Sequence, residues 1–257
     1  MAVTRTGYIK VEDDGSGVQT VTLDRPEASN AMTPEMRVEL AALLQDSDRD
    51  ASVTAVIITG TDPAFSGGVD FKAIAPDYDR YRNQFAATPG RALRAMRTPV
   101  ICAVNGACVS GALEIALSSS FIVASERARF ADTHARLGEV ATWGLTALLP
   151  RAVGIRKARE LSITGNFVDA SEALRLRLVN HVVPHDDLLP FTRRLAAQIA
   201  GTPAVAEVLD LYDRGADLGL NSALAMETAY VTNRNFDRDA FRQLGGETAA
   251  RQRTAMS

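Results

Sequence analysis

The chain has 257 residues, 46% of them hydrophobic, enough to bury a sizeable core in one large domain, or in one domain with an appendage, without disulfide support. A formal net charge of −3, with arginines and glutamates scattered along the chain, gives no basic stripe for nucleic acid. The sequence has no uninterrupted apolar stretch of about 18 residues and no basic segment leading into an apolar one, so neither membrane spanning nor export is expected, and a soluble cytoplasmic protein is.

Strands are expected where apolar runs recur: VQTVTLDRP from Val18, VTAVIITG from Val53, TPVICAVNG from Thr98, SSFIVASE from Ser119, and a weaker LVNHVVP from Leu178. The first alternates, with Val21 and Leu23 on one face, whereas the next three are nearly continuous, as in strands covered on both sides. Helices fall between them. Thr33 followed by Pro34 predicts an N-cap and first helical position for PEMRVELAALLQDSD, and Ser171 is expected to open EALRLRLV in the same way. After Pro184 the pattern becomes helix upon helix: LLPFTRRLAAQIA, PAVAEVLDLYDRGA and LNSALAMETAYVTN. In the last of these, Leu220, Ala223, Leu224, Glu227, Tyr230 and Val231 share a face, which suits either a lid on the same subunit or a surface for self-association. The expected organisation is an α/β core over residues 1–186 and a helical region over 187–257. Cys102 and Cys108 lie inside an apolar run with no metal-type spacing, which points to buried thiols.

Two segments share one design of strand, glycine-bearing turn and helix: VIITGTDPAFSGGVDFKAIA, with Ser66, Gly67 and Gly68 in the turn, and VICAVNGACVSGALEIAL, with Gly106 and Gly111. Glycine lets backbone approach a ligand, and the amides that open a helix have no intrahelical acceptor, so the two turns together suit developing negative charge. Templates for a nucleophile elbow, a phosphate loop, a dinucleotide fingerprint and a zinc helix are all absent. Glu114 follows Gly111 by almost one helical turn and can share its side. Its neighbours in GALEIAL are apolar or glycine, so burial should raise its pKa toward that of a useful base.

The segments LDRPEASNAM, AFSGGVDFKAI, AVNGACVSGALEIAL and ERARFADTHARLG, in this order between Val18 and Pro184, together resemble the enoyl-CoA hydratase/isomerase (crotonase) superfamily. The resemblance implies a spiral of ββα turns capped by C-terminal helices that build a homotrimer or hexamer. It further implies that the amides of Val69 and Gly111 form an oxyanion hole for the thioester oxygen of an acyl-CoA. The loop from Arg25 to Ala31, including Ala28 and Asn30, would wrap coenzyme A together with Gly67, Gly68, Asp70 and Phe71. Arg25 and Lys72 are either phosphate partners or solvated surface charges. Coenzyme A enters as part of the substrate, and no separate cofactor or metal is implied.

The resemblance places the family's two catalytic glutamates at Glu114 and His134, so the second is replaced by an imidazole, which can act as acid or base near neutrality. Asp132 either orients that imidazole or, like Thr133, is a candidate cap of a following helix, and Glu139 is a weaker substitute carboxylate. GEVATWGL lacks the family's Pro-Gly element, and Ser118 to Ser120 replace a Cys-Asp pair. The implied activity is enoyl-CoA hydration, a lyase reaction of fatty acid metabolism through a stabilised enolate. The alternatives are double-bond isomerisation and non-catalytic acyl-CoA binding; hydrolases and decarboxylases also share the fold.

Overall fold

In the computed structural model, the described residues are 2–77, 88–235, 238, 239, 241, 242 and 245. The strands are β1 (Ala2–Thr6), β2 (Ile9–Asp13), β3 (Val18–Leu23), β4 (Ala55–Gly60), β5 (Ala64–Ser66), β6 (Val100–Val104), β7 (Ala107–Val109), β8 (Phe121–Ser125), β9 (Arg129–Ala131), β10 (Val168–Asp169) and β11 (His181–Val183). Seven of them make one sheet in the order β1-β2-β3-β4-β6-β8-β11, and the short strands make a second, β10-β9-β7-β5. The first three strands pair antiparallel; from β3 through β4, β6, β8 and β11 every pairing is parallel.

The continuous apolar runs of β4, β6 and β8 are explained by two cores. Val56, Ile58, Cys102 and Val104 face the larger core with Leu40 and Leu44, whereas Ala55, Ile57, Ile101 and Ala103 face Leu188 and Ala196 on the other side. Helix α1 (Pro34–Arg49) covers the first side, and its N-cap is the expected one, with Thr33 Oγ1 accepting from the Met36 amide. Leu40 and Leu44 are fully buried, worth about 1.5–3 kcal/mol each on transfer grounds.

The remaining α-helices among the described residues are α2 (Phe71–Ile74), α3 (Pro89–Ala95), α4 (Gly111–Leu117), α5 (Leu145–Val153), α6 (Ile155–Thr164), α7 (Ala170–Arg175), α8 (Leu188–Ala196), α9 (Pro203–Gly215) and α10 (Leu220–Asn233). Helix α7 opens two residues earlier than Ser171 implied, because Asp169 Oδ1 accepts from the Glu172 amide and is the cap. Two compact units divide the chain, Met1–Glu207 and Val208–Ser257. Helix α8 lies in the first unit, its buried Leu188, Thr192 and Ala196 spaced four apart, so the sheet's second cover comes from beyond residue 186.

Each glycine-bearing segment holds one more element than expected. β5 separates β4 from α2, and β7 separates β6 from α4, so the repeating unit is strand, short strand, helix, the ββα turn of the resemblance. Both cysteines are buried free thiols, and burial pushes Cys102 up to about 12. No helix among the described residues is long and apolar enough to cross a membrane, and no group of three or more His, Cys, Asp or Glu is arranged to hold a metal.

Candidate active site

The two glycine turns meet. Gly68 has φ +92°, and a Cβ there would stand 2.7 Å from the Val109 carbonyl oxygen, so only glycine lets this turn lie against the end of β7. Val69 bridges Met32: the Met32 amide donates to the Gly68 carbonyl at 2.7 Å and the Asp70 amide to the Met32 carbonyl at 2.9 Å. That pattern turns the Val69 amide to the opposite side. Gly111 begins α4, and a Cβ on it would lie 3.4 Å from Val69 Cγ2. Among the described residues neither the Val69 nor the Gly111 amide has a protein acceptor, and a Cβ on Gly68 would stand 3.3 Å from the Gly111 nitrogen, so the two turns are in contact.

Glu114 projects from the same first turn, its side chain 2% exposed. Its Oε1 accepts from the Trp143 amide at 2.6 Å and the Leu145 amide at 3.2 Å. Gly144, at φ +123°, makes the turn that aims both amides at one oxygen. The Trp143 carbonyl is held in turn by the Arg94 guanidinium from α3. Burial pushes the Glu114 carboxyl above its ordinary value, against the pull of the two amides and the nearby imidazole.

His134 stands opposite. Its Nε2 is 3.8 Å from Glu114 Oε2, an ion-pair separation too long for a direct hydrogen bond, while Nδ1 is 2.6 Å from Asp132 Oδ1. Asp132 Oδ1 also accepts from the His134 amide at 3.1 Å, and the helical turn after His134 has no side-chain cap. Asp132 therefore both orients the imidazole and accepts the amide that leads into the turn. Burial alone would lower the His134 pKa, but the Asp132 bond and the charges of Glu114, Asp132 and Glu139 outweigh it and raise it. Burial likewise works against the Asp132 carboxylate, yet its bonds to His134 and Ser162 hold it below the ordinary range.

The two loops of the expected coenzyme A site are stitched together. The Gly67 amide donates to the Ser29 carbonyl at 2.8 Å, and Ser66 Oγ donates to the Asn30 carbonyl at 2.8 Å. Asn30 is fully buried, with Nδ2 bonded to the Thr61 and Ala64 carbonyls and Oδ1 to the Arg25 amide, so its side chain shapes the loop from within. Arg25 is no solvated charge: Nη1 bonds Asp70 Oδ2 at 2.7 Å and the Ala31 carbonyl at 2.9 Å, and the guanidinium lies over the Tyr8 ring. Asp70 also caps α2. Ala28 is half-buried, whereas Phe71 and Lys72 are exposed.

Sequence reasoning brought Val69, Gly111, Glu114 and His134 to one place, and it missed Trp143, Gly144, Leu145 and Arg94. One signal was available: the chain's single tryptophan stands directly before a glycine in GEVATWGL. The amides that hold Glu114 carry no sequence signal, since every residue but proline has one.

Comparison with known proteins agrees with this geometry. The sequence model of the family described as enoyl-CoA hydratase/isomerase matches residues 13–247. A probable peroxisomal enoyl-CoA hydratase of Arabidopsis thaliana is 34% identical over 92% of this chain and 91% of its own length. A short-chain-enoyl-CoA hydratase of Clostridium acetobutylicum is 33% identical over 85% of each chain. Among solved structures, an enoyl-CoA hydratase from Bacillus anthracis superposes with a TM-score of 0.87 at 27% identity over 95% of this chain and 97% of that one. One from Mycobacterium tuberculosis gives 0.73 at 42% identity over 87% and 96%. With the family model spanning most of its length and both glycine turns, the glutamate and the sheet order in place, the chain belongs to the enoyl-CoA hydratase/isomerase family.

Proposed function

We propose that the protein adds water across the 2,3-double bond of an enoyl-CoA thioester through an oxyanion-stabilised enolate. The observation that carries this reading is the pairing of Glu114 with His134 at 3.8 Å beside the contacting turns of Val69 and Gly111. The thioester oxygen accepts from both amides, a donor pair of which each member is worth about 2.7–4 kcal/mol in the transition state. The Glu114 carboxylate takes a proton from water as the water oxygen bonds to C3, and the double-bond electrons move onto the thioester oxygen. The His134 imidazolium, kept charged by Asp132, gives its Nε2 proton to C2 as the enolate collapses. The proton on Glu114 then passes to the imidazole and restores both groups, so one water is consumed per thioester.

Coenzyme A is held, in this reading, along the stitched loops 25–31 and 67–71, largely by backbone groups. Arg25 braces the loops through Asp70, and exposed Lys72 is the cation available to phosphate. The finer reading includes a cytoplasmic enzyme, supported by the two free buried thiols, and a homotrimer or hexamer, supported by the exposed apolar face of α10.

Incubation with a crotonyl thioester should give a 3-hydroxyacyl product heavier by one water in mass spectrometry. Conversion of a 3-enoyl thioester to its 2-enoyl isomer, with the crotonyl compound untouched, would identify an isomerase instead. Acyl-CoA binding without turnover of either would identify a binding protein. The protein should also bind thioesters more tightly than the free acids, and equal affinities in calorimetry would reject the coenzyme A site.

A further inference from the structure

Ser110, the residue before the Gly111 amide, is 4% exposed and has φ +50° and ψ −108°, a conformation that side-chain-bearing residues rarely adopt. Such strain persists only where the surroundings over-determine it. Here all of Ser110's polar atoms are engaged. Its amide donates to the Ala131 carbonyl at 2.9 Å, and its carbonyl accepts from the Glu114 amide at 3.0 Å. Its hydroxyl lies 2.8 Å from Thr133 Oγ1 and accepts from the Thr133 amide at 2.9 Å. Thr133 stands between Asp132 and His134, so one side chain joins the turn that opens α4 to the loop that carries the imidazole.

We propose that Ser110 and Thr133 are positioning residues whose hydroxyl clamp sets the Gly111 amide and the His134 imidazole relative to each other. The torsion ψ of Ser110 turns the peptide that contains the Gly111 N–H, so relaxation of this strained residue swings the amide away from the thioester oxygen. The Thr133 amide is the other end of the same constraint. Released, it lets the Asp132–His134 turn open and lengthens the bond between Asp132 Oδ1 and Nδ1. The strain at Ser110 is thus balanced by bonds to the part of the site that must move in register with it. The inference rests on the reading of Gly111 as an oxyanion donor, but its second consequence, at the imidazole, is measurable without turnover.

Four single variants, Ser110→Ala, Ser110→Gly, Thr133→Val and Thr133→Ser, and one double variant test the clamp in the full-length protein. Ser110→Ala and Thr133→Val should each lower kcat on a crotonyl thioester by roughly 10- to 100-fold, with a smaller change in KM, because a small misplacement of a donor weakens the transition state more than the ground state. Ser110→Gly should lose the same activity while melting no lower than the wild type, since glycine adopts the conformation freely, which separates the clamp from a folding defect. Thr133→Ser, which keeps the hydroxyl, should restore activity to within about threefold of wild type. The Ser110→Ala/Thr133→Val double variant should be no worse than either single one, the mark of a shared contact.

The groups facing the imidazole are Glu114 from α4, Asp132 from its own loop and Glu139 from the following turn. NMR titration of His134 should show its pKa falling in Ser110→Ala and Thr133→Val. Wild-type kcat in Ser110→Ala, full activity in Thr133→Val, or additive losses in the double variant would overturn the clamp. If the wild-type protein turns over no thioester, the hydratase reading fails and the titration alone decides: a lowered His134 pKa in both variants upholds the coupling, and an unchanged one ends it.

Discussion

A carboxylate with 2% of its side chain exposed keeps its charge only with help, and Glu114 has three sources of it: two backbone amides on Oε1 and an imidazole facing Oε2. These do not fully offset burial, so the carboxyl sits above its ordinary pKa, where a carboxylate is a stronger base. Glu114→Gln should therefore lower kcat by about 100-fold or more while acyl-CoA binding, read by calorimetry, is retained. His134 and Asp132 form the complementary half. The profile of kcat/KM against pH should be bell-shaped, its acid limb set mainly by Glu114 losing a proton and its basic limb mainly by His134 losing one, both values belonging to a coupled pair. Asp132→Asn removes the charge that raises His134, so the basic limb should move to lower pH; a profile identical to wild type would show that Asp132 does not hold the imidazolium. The same pair acts on stability. His134 has a raised folded-state pKa, so its contribution is complete below the ordinary histidine value of about 6.5 and is lost as pH rises through the folded value. Asp132 has a lowered one, so its contribution is present above about 3.9 and is lost as pH falls through the folded value. The melting temperature of Asp132→Asn should thus fall furthest below wild type between these limits, and the gap should narrow at alkaline pH.

At the scale of elements, the start of α5 is as much a part of the site as α4. Gly144 is its N-cap at φ +123°, and the amides on either side of it, Trp143 and Leu145, both reach Glu114. The Trp143 ring also packs on the Gly111 turn, where a Cβ on Gly111 would stand 3.2 Å from Cζ3. Gly144→Ala places a Cβ in an unfavourable backbone region and 2.9 Å from Arg94 Nη1, the movable end of a long side chain. The strain, on the order of 1–3 kcal/mol, should appear in chemical denaturation. Reorientation of the two amides should raise the Glu114 pKa further and shift the acid limb of the pH profile upward. A destabilised variant with an unmoved acid limb would show that the amides do not tune Glu114. The sequence carried α1 and its Thr33 cap plainly, because capping is local chemistry within four residues. It hid β5, β7, β9 and β10, of two or three residues each, because strands that short have no period to read and exist only through pairing with one another.

For the molecule as a whole, the unresolved balance is at the C-terminal end. In α10, Leu220, Leu224 and Val231 are 74%, 51% and 64% exposed, an apolar face suited to cover by a partner. Deleting the chain from Leu220 onward should give monomer or insoluble protein, and sedimentation of the full-length chain as a monomer would contradict the proposed trimer or hexamer. The sequence by itself determined the family, the apolar strand runs, the two glycine turns and the candidate base Glu114, because these depend on residue type and spacing along the chain, and the resemblance then supplied His134 as its partner. Tertiary structure decided that α8 belongs with the sheet, since the apolar residues of β4, β6 and β8 need cover on both faces and only packing shows which helix supplies it. It also decided the work of the site: that Asp132 orients His134, that Arg25 braces a loop, and that backbone amides of a distant turn hold Glu114. Those roles rest on hydrogen bonds between groups far apart in the chain or common to every residue, and such bonds are specified by where the fold places them.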